Sequence, residues 1–82
     1  GKNGVVRELS THIDVVKDIY TFVLENGFSV LNLDFSPIKG PQGNIEYLIY
    51  IKKDEKAESY LSSTVEQIVI LSHDTLNGGA AQ

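Results

Sequence analysis

Apolar residues recur at helical spacing along the first third of the chain. Ile13, Val16, Ile19, Tyr20, Val23 and Leu24 fall on one face, and Asp14, Lys17, Asp18, Thr21 and Glu25 on the other. This predicts an amphipathic helix from Thr11 to Asn26. Ser10 or Thr11 offers an N-cap hydroxyl, and Asp14 stands three residues after Thr11, close to capping-box register. Asn26-Gly27 closes the helix, with glycine supplying the left-handed residue beyond its end. Gly1–Glu8, opening Gly-Lys-Asn-Gly, reads as a flexible polar start in which Val5 and Val6 are too few for a strand.

The period then changes to two. In Phe28–Phe35, strict alternation puts Ser29, Leu31, Leu33 and Phe35 on one face and Phe28, Val30, Asn32 and Asp34 on the other. The second face turns polar toward its end, as an edge or half-exposed strand would. Ile45–Ile51 is apolar on both faces apart from Glu46, the pattern of a strand covered on both sides and central in its sheet. The nine residues from Ser36 to Asn44 hold both prolines of the chain and two of its glycines. Such a connection is long against the roughly two to five residues of ordinary hairpins. Without room for a crossover helix, the two strands are expected to be antiparallel neighbours. Lys52–Ser62 is polar and irregular. Ser63-x-x-Glu66 forms a capping box, and Val65, Ile68, Val69, Leu71, Ser72 and Leu76 trace a second helix ending near Asn77-Gly78. Residues 78–82 are expected to be a disordered tail.

The order helix–strand–loop–strand–helix leaves a central strand with one neighbour. Two strands are marginal as an independent sheet, and an open edge invites association. The chain is therefore expected to be a piece of a larger α/β domain, or else to complete its sheet with a second copy as a homodimer or strand-swapped oligomer. At 82 residues it is one domain at most. Seven Lys/Arg against eleven Asp/Glu give a net charge of −4, and only Lys52, Lys53 and Lys56 cluster. Nucleic-acid affinity needs clustered cations, so the chain alone is a poor free-standing nucleic-acid binder. It has no cysteine, which excludes disulfides and thiolate metal sites and fits a cytoplasmic setting. No apolar run reaches the roughly 20 residues that span a bilayer, and the acidic polar faces of both helices are wrong for an anionic membrane surface.

Candidate chemistry is sparse. There is no Gly-x-Gly-x-x-Gly and no Walker-type phosphate loop. His12 and His73 are far apart in sequence without ligand-spaced partners; the first is expected on the surface at a helix start, the second at the surface or core edge. Ser62 and Ser63 lack a nucleophile setting. Glu46 remains: a carboxylate at the start of an apolar strand, fed by a Pro/Gly loop. It is either a structural carboxylate paired with a lysine or with loop N–H groups, or a group at the edge of an active site.

The stretch Ser36-Pro-Ile-Lys-Gly-Pro-Gln-Gly-Asn-Ile-Glu-Tyr47, with Gly1-Lys-Asn-Gly-Val-Val-Arg7 upstream, resembles the C-terminal part of the TlyA family. These are hemolysin-A-like proteins related to the FtsJ-type ribosomal RNA 2′-O-methyltransferases. Asn3 and the residues around Leu9 depart from the family pattern. The resemblance runs from Gly1 to about Ile51 and more loosely through Val65–Leu76. It implies residues 1–77 as the C-terminal portion of a Rossmann-like, S-adenosylmethionine-dependent methyltransferase domain that ends in an antiparallel β-hairpin. Phe28–Phe35 would be the outer strand and Ile45–Ile51 the inserted one. Glu46 matches the last member of the family's Lys-Asp-Lys-Glu catalytic tetrad. The other three members, the cofactor site and the domain that binds ribosomal RNA would lie upstream of Gly1, leaving these 82 residues inactive alone. In that picture Lys39 and Asn44 are substrate-binding positions on the loop, Lys39 standing open between an RNA phosphate and plain solvent. The competing expectation is a non-catalytic α+β interaction module that self-associates through its open strand edge.

Overall fold

The computed structural model describes residues 2–76. The chain runs through α1 (Lys2–Glu25), β1 (Phe28–Phe35), a 3₁₀ turn (Pro41–Gly43), β2 (Tyr47–Lys53) and α2 (Val65–Leu76). The expected disordered tail lies outside the described residues.

Helix α1 begins about nine residues before the expected start, so residues 2–8 are helical rather than a flexible lead, and Ser10 and Thr11 are exposed mid-helix residues rather than caps. The apolar stripe explains the extension. Leu9 adds a turn to Ile13, Val16, Tyr20 and Val23, and it packs against the core. Gly4 costs the helix only about 1 kcal/mol relative to alanine, too little to stop it. The C-terminal end is as the sequence predicts. Gly27 takes φ +82°, and the Asn26 amide and side chain both donate to the Phe22 carbonyl.

β1 pairs with β2 antiparallel, Phe28 opposite Lys53 and Phe35 opposite Tyr47. This register, rather than the apolar run, sets the limits of β2, which is displaced from Ile45–Ile51 to Tyr47–Lys53. A bulge between Val30 and Asn32 leaves Leu31 unpaired. Strict alternation would place Val30 and Leu33 on opposite faces. With the extra residue, Val30 opposes Ile51 and Leu33 opposes Ile49, so both lie on the same side. Leu31 is consequently exposed, against the face assignment read from the sequence, while Val30 and Leu33 are buried.

The two helices cover that one side of the sheet. Leu33 clusters with Val16 of α1 and with Val65 and Val69 of α2, and Tyr47, Ile49, Leu61 and Ile68 pack around them. α2 begins at a capping box one residue later than predicted. Thr64 Oγ1 accepts from the Gln67 amide at 3.1 Å and Gln67 Oε1 accepts from the Thr64 amide at 2.8 Å. Glu66 is thereby left to reach Lys17 of α1 at 2.8 Å, an exposed ion pair.

The edge and centre assignments also change. The far edge of β1 is partly covered: the Val30 amide donates to the Glu58 carbonyl and the Tyr60 amide to the Val30 carbonyl, each at 2.9 Å, and buried Ser29 accepts from the Glu58 amide. β2, expected to be covered on both faces, has β1 alone as its neighbour among the described residues. Leu48, Tyr50 and Ile51 are 45%, 51% and 41% exposed. The sequence pattern of a central strand is there, but these residues do not cover it.

Val69 is fully buried at the centre of the cluster. Val69→Ala is expected to lower the unfolding free energy by about 1–2 kcal/mol, whereas exposed Val15→Ala should change it by less than about 0.5 kcal/mol. Urea denaturation measures both, and equal effects would contradict this account of the core.

Candidate functional site

The loop from β1 to β2 is held by its own backbone. Ser36 Oγ accepts from the Ile38 amide and donates to the Ile38 carbonyl. The Gly40 amide donates to the Asn44 carbonyl at 2.7 Å, closing a ring of residues around the 3₁₀ turn, and the Gly43 and Asn44 amides donate back to Gly40 and Pro41. Gln42 and Gly43 both take positive φ, 63° and 81°, and so reverse the chain within two residues. The Ser36 amide donates to the Glu46 carbonyl at 2.8 Å, extending the strand pairing one step past the end of the sheet.

Glu46 folds its side chain over Gly40. A β-carbon on Gly40 would stand 2.6 Å from Glu46 Oε2 and 2.9 Å from Cδ, so glycine is what allows this approach. The carboxylate is exposed and makes no hydrogen bond or ion pair among the described residues. Among the described residues, neither a lysine nor a loop N–H group pairs with it. Lys39 and Asn44 are exposed on the same loop. Asn44 contributes its backbone to the ring closure, leaving its side chain outward.

Tyr47, the next residue, points the other way, as alternation along a strand requires. Its hydroxyl lies 2.8 Å from Ser72 Oγ of α2 and 3.4 Å from His12 Nδ1 of α1. His73 Nε2 lies 2.9 Å from the same His12 nitrogen, with the two rings edge-on at 4.8 Å between centroids. The histidines expected to be separate thus meet between the helices. The signal available in the sequence was their position: His12 follows Leu9 by three residues on the stripe, and His73 follows Val69 by four. Burial pushes the Tyr47 phenol above its ordinary pKa. Burial, and next the charge of His12, push the His73 imidazole below its ordinary value. Among the described residues no three His, Cys, Asp or Glu are arranged to hold a metal ion.

A separate cleft of about 410 Å³ runs between α1 and the approach to α2, with Tyr20, Thr21, Ser59 and Thr64 in its walls and the Lys17–Glu66 pair at its rim. No residue of the Glu46 loop lines it.

Gly40→Ala requires only the far end of the Glu46 side chain to move. The variant is expected to keep its stability within about 0.5 kcal/mol while displacing the carboxylate, as a thermal melt and a structure of the variant would reveal. A large loss of stability would mean that the contact is a structural one.

No protein-family model matches the chain. The "Putative rRNA methyltransferase YqxC" of Bacillus subtilis is 33% identical over 79 residues, which is 93% of this chain and 28% of that protein. "Hemolysin A" of Brachyspira hyodysenteriae is 35% identical over 49 residues, 60% of this chain and 20% of that protein. Two solved structures share the fold. A "Putative hemolysin from Streptococcus thermophilus" superposes with a TM-score of 0.77 at 31% identity, over 90% of this chain and 27% of that one. "A putative hemolysin from Lactococcus lactis" gives 0.69 at 34% identity, over 77% and 30%. The chain spans less than a third of each of these proteins, and over that span it is a homologue of the hemolysin A-like, TlyA-like group that includes a putative rRNA methyltransferase.

Proposed function

We propose that this chain is the C-terminal part of an S-adenosylmethionine-dependent ribosomal RNA ribose 2′-O-methyltransferase with a Rossmann-like domain, working in the cytoplasm, and that Glu46 is its contribution to the catalytic site. One observation carries the proposal. Glu46 is an exposed carboxylate without a partner among the described residues, just before a strand at the end of a self-closed loop, in a chain similar along nearly its whole length to part of a putative rRNA methyltransferase. The uncovered edge of β2 and its exposed Leu48, Tyr50 and Ile51 support a larger sheet that continues from this strand.

The chemistry gives the carboxylate a role. S-adenosylmethionine supplies the methyl group, and a ribose 2′-hydroxyl attacking it must lose a proton. A lysine whose pKa is lowered by burial and by other cations suits that task. A carboxylate beside such a lysine raises its pKa, so Glu46 orients cations by charge-assisted hydrogen bonds rather than activating the base. Lys39 and Asn44 are exposed on the same loop, and in this reading they meet the RNA backbone. The cofactor and the other catalytic groups fall to the upstream part of the protein.

A second reading is favoured by the same open edge: a non-catalytic module that self-associates through β2. Light scattering on the 82-residue chain and on the full-length protein separates the two, because association that persists in the full-length protein favours the module. In the full-length protein, Glu46→Gln is expected to lower ribose methylation by about 100-fold through misplacement of the groups it orients, with RNA binding largely kept. Unchanged methylation would remove Glu46 from the site.

A further inference from the structure

The side chains joining α1, β2 and α2 form a hydrogen-bond chain whose direction can be worked out. Ser72 Oγ has one hydrogen, and it goes to the Val69 carbonyl at 2.7 Å, which can only accept. The 2.8 Å contact between Ser72 and Tyr47 is therefore donated by the Tyr47 hydroxyl. With that hydrogen spent, Tyr47 Oη can only accept at His12 Nδ1, 3.4 Å away. His12 thus carries its hydrogen on Nδ1. His73 Nε2, 2.9 Å from that nitrogen, is an unprotonated acceptor, and neutral His73 holds its own hydrogen on Nδ1.

We propose that this chain is a proton-sensitive clip that fixes Tyr47, and through it the position of Glu46 and its loop, against the two helices. The facing nitrogens of His12 and His73 have room for one hydrogen between them. Protonating His73 at Nε2 places a second hydrogen there, unless His12 moves its own to Nε2. In either event the His12–Tyr47 hydrogen bond is disturbed, and beside its packing on the core the Tyr47 hydroxyl keeps Ser72 as its hydrogen-bond partner on the helices.

The groups that face His73 come from every element around it. Glu8 of α1 and Asp74 beside it favour its protonation; burial, His12 and Lys39 of the loop oppose it and prevail. The native protein therefore takes up this proton less readily than the unfolded chain. The clip's stabilisation is complete above the ordinary imidazole value of about 6.5 and is lost as the pH falls from there through the native value. Lys39 belongs to the Glu46 loop, so the loop and the imidazole pair are also coupled through charge.

The clip is independent of the proposed reaction and can be tested on the 82-residue chain by NMR with ¹⁵N-labelled histidine between pH 8 and 5. At pH 8, His12 should show the Nδ1–H tautomer and His73 an unprotonated Nε2. As His73 takes up its proton, the amides of Gly40, Glu46 and Tyr47 should shift with the same midpoint. His12→Asn should move the His73 midpoint upward, and Tyr47→Phe should flatten the Glu46 response while His73 still titrates. The fall in urea midpoint between pH 7.5 and 5.5 should be smaller in His73→Gln than in the wild type. A protonated His73 Nε2 at pH 8, or Gly40 and Glu46 amides that stay flat through the His73 titration, would overturn the proposal using the wild-type protein alone.

Discussion

Leu33 reaches Val16, Val65 and Val69 only because Leu31 is looped out of the strand pairing one step before it. The bulge sets which residues of β1 face the helices, and it fixes the register that ends at Phe35 opposite Tyr47. From that register follow the start of β2 and the inward direction of Tyr47. The outward direction of Glu46 follows from the same alternation. A slip of one residue would send Tyr47 to solvent and Glu46 into the helices, burying a carboxylate at a cost that a small core could not offset.

Two consecutive residues at the start of β2 therefore serve opposite sides of the molecule. Tyr47 ties the strand to α1 and α2 through Ser72 and His12, while Glu46 presents a carboxylate over Gly40 on a loop closed by its own backbone. Among the described residues that carboxylate has no hydrogen-bond or ion-pair partner, and the proposed function gives it one in the rest of a longer protein. The uncovered edge and exposed apolar residues of β2 belong to the same picture, and so do the relatives, which are more than three times as long as the matched span.

Much of this was legible in the sequence because it rests on local rules. The 3.6-residue stripe, the Asn26-Gly27 stop and the full extent of Phe28–Phe35 needed no tertiary information. The start of α1 was missed because cap signals at Ser10 and Thr11 are local, whereas Leu9 is held helical by its packing on the core. Ser63 and Thr64 offer equivalent capping boxes in sequence, and the choice between them is settled by Glu66 reaching Lys17, 49 residues away. The bulge at Leu31 carries no glycine to announce it. The His12–His73 pair, 61 residues apart, exists only after the helices have docked. Glu46 stood out in the sequence as a carboxylate in an apolar run, but the reason for Gly40 beneath it could be seen only in three dimensions.

The central claim is that β2 is an inner strand whose other neighbour lies in the rest of a longer protein. Amide hydrogen exchange on β2 tests it most directly, comparing the 82-residue chain with the full-length protein that contains it. The account predicts that the β2 amides turned away from β1 exchange rapidly in the short chain and become strongly protected in the long one. Rapid exchange of those same amides in the full-length protein would contradict it.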